Sequence, residues 1–262
     1  MIEQLWPTIT AVAVLLAVAV TVLTLAGVRH RWAAAVAVFR GALQLAAISF
    51  ILAGVITDPR WVALALAVMF TVAAVTATRR IGWTLQRFGL VAAAMAAGVS
   101  ITLTAVFLTG ALELSARYAL AVGGIIIGNA MTTVTLAGRR TAQATDDRFP
   151  EIEGLLALGA TPRQATLDIA RDALREALIP ATDQTKTTGL VTLPGAFVGA
   201  IFGGVSPLEA GRFQIVVLAG IMAAGAVAAA IITFALAPTL MLPADTVRQM
   251  ANRNHAQPAT RS

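Results

Sequence analysis

Seven stretches of this chain are apolar for about the length that crosses a bilayer, and nothing else in the sequence restricts its folding as much. They run from Thr8 to Val28, Ala33 to Ile56, Trp61 to Thr78, Gly89 to Leu112, Ala116 to Gly138, Thr187 to Val205 and Phe213 to Met241. A membrane helix needs about 20 mostly apolar residues. None of the seven has an acidic residue in its interior. The expected fold class is therefore all-α, a polytopic membrane protein with about seven transmembrane helices. The first stretch is expected to be a retained helix rather than a secretory signal, because Glu3 and no Lys or Arg precedes it.

Composition supports this reading. Hydrophobic residues make up 58% of the 262 positions and charged residues 12%, with a mean hydropathy of +0.82. A soluble domain carries about 25% charged residues. There is no cysteine, which excludes disulfides and thiolate metal sites.

The net charge of +6 speaks to orientation rather than to nucleic acid as a partner. Alternate connections hold Arg29 and Arg31, then Arg79, Arg80 and Arg87, then Arg139, Arg140, Arg148, Arg163, Arg171, Arg175 and Lys186, then Arg248, Arg253 and Arg261. The opposite connections hold only Arg60, Arg117 and Arg212, and Arg40 lies inside a span. Basic loops stay in the cytoplasm. This places the N-terminus outside and the C-terminus inside, in a multi-pass protein of the cell (plasma or inner) membrane. The domain expectation is one transmembrane domain over residues 1–242, including a cytoplasmic loop at 139–186, followed by a cytoplasmic tail at 243–262 expected to be poorly ordered.

The loop at 139–186 has its own pattern. Leu167, Ala170, Leu174, Ala177 and Leu178 recur at helical spacing, with Asp168, Arg171, Asp172, Arg175 and Glu176 on the other face. That is an amphipathic helix, which either rests at the membrane interface or offers a surface to a cytoplasmic partner. Pro150 and Pro162 punctuate the segment, and Pro180 is expected to close it.

Several chemistries are missing. No G-x-x-x-x-G-K-[ST] occurs, so the chain has no P-loop for ATP. His30 and His255 both lie outside the spans, which disfavours an intramembrane Ser/His protease. No Asp or Glu is expected well within a span, which disfavours a paired-aspartate protease and a proton-coupled carrier. No catalytic residue and no bound cofactor is assigned to the chain, and no metal ligand set is identified.

The polar candidates within the spans are few. Arg40 and Gln44 stand one turn apart in the second span, about 10 Å from its start. Arg40 either snorkels to the surface or takes a partner inside the bundle. Asn129, Met131 and Thr132, followed by Thr133 and Thr135, form the most polar cluster at membrane depth and are candidates for a permeation route. Asp183, Lys186 and Thr187 sit at the expected entrance of the sixth span, where the two charges have pairing distance on one helix face. Gly195, Gly199 and Gly203 recur every fourth residue after Pro194, as do Gly124 and Gly128 in the fifth span. Such faces serve helix packing within the chain, or a dimer seam or sliding face. Pro194 is expected to free a backbone carbonyl within the sixth span.

These segments resemble a known family. Gly124-Ile-Ile-Ile-Gly-Asn-Ala-Met131 is similar to the signature of FetB-like permeases, the bacterial iron-export family that also contains plant aluminium-tolerance proteins. Leu158-Gly-Ala-Thr-Pro-Arg-Gln-Ala165 looks like its cytoplasmic loop. Leu178-Ile-Pro-Ala-Thr-Asp-Gln-Thr-Lys-Thr-Thr-Gly-Leu-Val-Thr-Leu-Pro-Gly195 resembles its longest motif, with Asp183, Lys186 and Thr187. Ser206-Pro-Leu-Glu-Ala210, Gln214-Ile215 and the weaker Arg40 with Gln44-Leu45 continue the match.

The resemblance implies the permease subunit of an ATP-driven, ABC-type exporter of metal ions such as iron. It implies a homodimer that pairs with a separate ATPase subunit, the subunit that binds ATP and Mg. Glu153 and Gly159 have the spacing of an E-A-A-x-x-x-G docking loop, with Gly154 and Leu155 in place of its alanines and Arg171 and Asp172 where it has Leu-Pro. Together with Thr161 they are the candidates for ATPase coupling. Without Cys, intramembrane His or a buried carboxylate, cargo would meet carbonyls, hydroxyls, the Asn129 amide or the Met131 thioether, donors that suit weakly held ions and leave room for another small cargo. The alternatives are a carrier driven by an ion gradient and a non-transporting membrane scaffold.

Overall fold

The computed structural model describes residues 2–55 and 58–241, and the tail at 243–262 lies outside the described residues. The chain falls into two compact units, residues 1–57 and residues 58–262. The first contains α1 (Ile2–Leu25) and α2 (Ala33–Val55). Their connecting turn is closed by Val28 N–H donating to Leu23 O at 3.0 Å and Gly27 N–H to Thr24 O at 3.1 Å.

The second unit is built on α3 (Pro59–Ile81), α4 (Leu85–Leu108), α5 (Ala116–Asp147) and α10 (Pro207–Leu236), continued by a short 3-10 turn (Ala237–Met241). Between α5 and α10 come α6 (Phe149–Ala157), α7 (Pro162–Ala165), α8 (Leu167–Thr187) and α9 (Gly195–Phe202). Local chemistry starts these helices where they start. Asp58, Thr84, Ser115 and Ser206 each cap an N-terminus with a side-chain oxygen. Pro59, Pro150, Pro162 and Pro207 stand in first turns, where the missing N–H costs nothing.

Among the described residues five helices are long and apolar enough to cross a membrane: α1, α3, α4, α5 and α10 with its 3-10 extension. The described apolar part of α2 is shorter, Ala33–Ser49. The protein is a polytopic, all-α, multi-pass membrane protein. The packing of α3, α4, α5 and α10 rests on small residues. A Cβ on Gly98 would stand 2.5 Å from Ala224 O, one on Gly138 2.6 Å from Ile81 Cδ1, and one on Gly123 2.9 Å from Leu66 Cδ2. Lipid tails are as apolar as side chains, so tight approach rather than the hydrophobic effect holds such helices together.

The structure corrects the sequence reading at two places. Thr187 to Val205 is not one spanning helix. At Thr188 the backbone turns extended (φ −63, ψ 131), and the N–H groups of Leu190, Val191 and Thr192 fold back onto Thr187 O. Pro194 is the N-cap of the eight-residue α9 and so breaks no helix. Pro180 does not close its helix either: α8 continues through it to Thr187. A proline inside a helix forfeits one hydrogen bond, and the packing of α8 on both α5 and α10 compensates. Residues 139–186, the connection expected to carry an amphipathic helix, are helical almost throughout. They comprise the end of α5, then α6, α7 and nearly all of α8.

Candidate functional site

The amphipathic face read from Leu167 onward is real. Of its expected apolar residues Ala170 and Ala177 are buried and Leu167, Leu174 and Leu178 half-buried, joined by buried Ile169 and Ala173; Asp168, Arg171, Asp172 and Arg175 are exposed, and Glu176 is half-buried. Its destination differs from expectation. A Cβ on Gly225 would lie 3.4 Å from Thr133 Oγ1 and 3.6 Å from Leu178 Cδ2, so α5, α8 and α10 meet there. Thr182 Oγ1 lies 4.0 Å from Met222 Sδ, midway along α10. Asp183, next to Thr182, therefore stands about level with the middle of α10, and Lys186 lies one turn further along α8. They do not pair with each other: no ion pair joins them. Both are exposed, together with Gln184, on one face of α8. Thr187 Oγ1 is engaged locally with Asp183 O at 2.9 Å.

An aspartate and a lysine at this depth cannot face hydrocarbon cheaply. Ionisable groups inside a membrane almost always face a protein interior or a water-filled route. Asp183 itself is exposed on α8, beside Thr182, which reaches Met222 midway along α10.

On α5 the structure sorts the polar cluster by face. Thr133 and Thr135 are buried, Asn129 and Met131 are half-buried, and Thr132 is exposed. Asn129 Nδ2 donates to Ile125 O at 2.9 Å and Thr132 Oγ1 to Gly128 O at 3.2 Å. The Asn129 carbonyl is left for another partner. Helices α5 and α8 run antiparallel with Thr133 beside Leu178, so Asn129, one turn before Thr133, lies about level with Asp183, just over one turn beyond Leu178. Gly124 packs against Met69 Cε, whereas a Cβ on Gly128, Gly195 or Gly199 would meet nothing within 4 Å. Gly124 therefore serves packing within the chain, while Gly128, Gly195 and Gly199 stand open among the described residues.

Arg40 and Gln44 are both exposed on α2 in the first unit, and no carboxylate of the described residues pairs with Arg40.

The three coupling candidates share one hairpin, α6 and α7. Gly159 ends α6 with φ +91: its N–H donates to Leu156 O and that of Ala160 to Leu155 O, both at 3.0 Å. This closure needs the left-handed conformation that glycine adopts without strain. Thr161 then caps α7 reciprocally with Gln164. Glu153, Gly159 and Thr161 are all exposed. The hairpin has a small core of its own, Ile152, Ala165 and Ile169 with Ala144 and Leu156.

Ion pairs tie this hairpin to the helices. Arg148 makes a two-pronged contact with Glu151, Nε and Nη2 each at 2.7 Å from a carboxylate oxygen, and reaches Asp172 of α8 at 3.6 Å. Arg140 of α5 meets Glu176 of α8 at 3.1 Å. The hydrogen bond from Arg148 holds the Glu151 carboxyl below its usual value, and the same bond raises Arg148. About 48 Å long at 32 residues, α5 exceeds a 30 Å hydrocarbon core. One helix thus carries Asn129 and Thr132 in one part and the Arg140 clamp in another, with Arg148 as the residue that caps its C-terminus.

Sequence reasoning missed Leu158 and the buried polar atoms. Leu158 is 86% exposed at the hairpin tip, an apolar knob beside Gly159. Its offset from the inward-facing Ile152 and Leu156 is the signal that marks it. Thr102 Oγ1 and Gln214 Oε1 are buried without a hydrogen-bond partner, and only packing reveals this. Among the described residues no three of His, Cys, Asp and Glu stand together to hold a metal ion.

Residues 6–241 match the family described as Uncharacterised protein family (UPF0014). The chain is similar to the UPF0014 membrane protein STAR2 of Oryza sativa subsp. japonica, 38% identical over 200 residues that cover 76% of this chain and 70% of that one. It is similar to the protein ALUMINUM SENSITIVE 3 of Arabidopsis thaliana, 36% identical over 209 residues covering 79% and 77%. A shorter match, 41% identical over 124 residues covering 47% and 48%, is to the probable iron export permease protein FetB of Escherichia coli (strain K12). No solved structure matches the chain.

Proposed function

The chain belongs to the UPF0014 family, and from that premise we propose that it is the transmembrane permease subunit of an ATP-driven, ABC-type exporter. In this reading it works as a homodimer with a separate ATPase subunit that binds ATP and Mg. Its cargo is a metal ion such as iron, as the printed name of one relative suggests. The basic connections stay on the cytoplasmic side, with the N-terminus outside.

The single observation that carries this reading is the continuity of α5. Its Asn129 and Thr132 and its Arg140 clamp lie on one unbroken helix, and Arg148 caps its C-terminus. A push on the α6–α7 hairpin reaches both α5 and α8 through Arg148 and the small Ile152 core. Glu153, Leu158, Gly159 and Thr161 present the docking surface to the ATPase. Asn129, Thr132, Asp183 and Lys186 then line the route, which a second copy closes off from lipid. Oxygen donors of this kind hold an ion briefly and release it.

The test is co-expression with candidate ABC ATPases, purification and metal-stimulated ATP hydrolysis. Glu153→Lys with Gly159→Arg, or Leu158→Asp, is expected to abolish co-purification. Full retention of complex and transport in these variants refutes the docking role. A second reading gains from Asp183: a carboxylate at mid-bundle is what an ion-gradient-driven carrier uses. Uptake or efflux in vesicles without ATPase and ATP would select that reading instead.

A further inference from the structure

The turn between α3 and α4 concentrates cations that have no anion to meet. Arg79 and Arg80 close the last turn of α3, and Arg87 lies in the first turn of α4. No Asp or Glu occurs anywhere from residue 59 to residue 112. Ile81 packs against Gly138 and brings Arg139 of α5 to the same end. Arg140 next to it is already paired with Glu176, while Arg79, Arg80, Arg87 and Arg139 take part in no ion pair among the described residues.

The turn is built around these cations. Gly82 has φ +129, and a Cβ there would stand 2.7 Å from Arg87 Nη1, so the half-buried Arg87 guanidinium lies over the turn. Trp83 is 54% exposed, with the Arg79 guanidinium 5.9 Å from its ring centroid and the Phe88 ring at 5.8 Å. Leu85 beside it is 80% exposed. Both flanking helices are long and apolar enough to span a membrane, so the turn lies at a membrane surface. Tryptophan favours that border, where one side is apolar and the other wet. The α1–α2 turn has a similar composition in Arg29, Arg31 and Trp32, but all three are exposed and no guanidinium there is tucked in.

We propose that the α3–α4 turn seats the phosphodiester headgroup of an anionic phospholipid. Arg79, Arg80 and Arg87 hold the headgroup charge, and Trp83 and Leu85 lie against the glycerol and upper acyl chain. Basic pockets between membrane helices bind such headgroups by charge and by the N–H fork of arginine. A soluble phosphate offers the same anion but gives Trp83 and Leu85 nothing to cover, and an acidic protein surface would not need them at lipid depth.

The test uses the full chain in vesicles with Trp83 as its one tryptophan (Trp6→Phe, Trp32→Phe, Trp61→Phe). Quenching of Trp83 by brominated phosphatidylglycerol is compared with that by brominated phosphatidylcholine at equal mole fraction. The expected preference for the anionic lipid is about fivefold or more, the factor that one surface cation supplies. It survives millimolar inorganic phosphate and falls close to one in Arg79→Gln/Arg80→Gln/Arg87→Gln. Labelling of an introduced Gly154→Cys reports that this variant keeps its orientation. Arg87→Gln alone is expected to remove at least half of the preference, which serves where the triple variant does not assemble. Equal quenching by the two lipids overturns the proposal and assigns the cations to a protein partner. A preference unchanged by the glutamine variants reduces it to general surface charge, and one abolished by inorganic phosphate makes the turn a soluble-anion site; either result refutes it.

Discussion

Replacing Gly98 with alanine tests whether backbone-to-backbone approach holds the second unit together. The new Cβ would lie 2.5 Å from Ala224 O and 3.3 Å from both Ala224 C and Ala228 Cβ. Ordinary contact begins at 3.4 Å, so α4 and α10 must separate by about 0.9 Å at their crossing. The obstructing atom belongs to a backbone, and no rotamer change relieves it. Overpacking of this kind costs about 1–3 kcal/mol. The intrinsic preference of a helix for alanine returns about 0.5–1 kcal/mol, leaving a net loss of roughly 0–2.5 kcal/mol. Gly128→Ala supplies the internal comparison. It lies on α5 with nothing within 4 Å, so only the helix preference acts and stability is expected to stay level or rise. Thermal unfolding in detergent, followed by circular dichroism or by aggregation, measures both. Equal melting points for the two variants, or a more stable Gly98→Ala, would refute the close α4–α10 crossing and the packing argument built on it.

Three further outcomes follow from the clamps and the hairpin. Arg148→Ala removes the anchor of Glu151 and Asp172 at once; limited proteolysis is expected to cut the α6–α7 hairpin faster, with the apolar bundle melting little changed, and equal cutting rates would exclude an anchoring role. Glu151 is held below its ordinary value of 4.5 by Arg148, so its contribution is complete above that value and is lost as pH falls through its lowered folded value; the proteolysis rate should rise in acid, modestly because the pair is exposed, and Glu151→Gln should remove that pH dependence. Gly159→Ala meets no steric obstacle but must take φ +91, at a cost of about 1–2 kcal/mol that opens the hairpin tip; hydrogen exchange at Ala160 and Leu158 reads the change, and unaltered protection would show that the turn tolerates a side chain.

The sequence by itself determined the class of the molecule and most of its helices, because apolar runs of spanning length have few other options in lipid. It also located the family motifs and the amphipathic helix from Leu167 onward, since periodicity is a local property, whereas the hairpin that joins Glu153, Gly159 and Thr161 appears only in the structure. Only the tertiary structure decided where α8 goes. Hydropathy follows composition along a segment, and the Asp183 to Lys186 stretch reads as polar border whether it lies at a surface or at mid-bundle. The contacts of Leu178 with Gly225 and of Thr182 with Met222 place it level with the middle of α10. Likewise a glycine repeat looks the same in sequence whether it is filled or open. Gly124 has Met69 against it and Gly195 has nothing, because what stands opposite a helix face is set by residues far away in the chain.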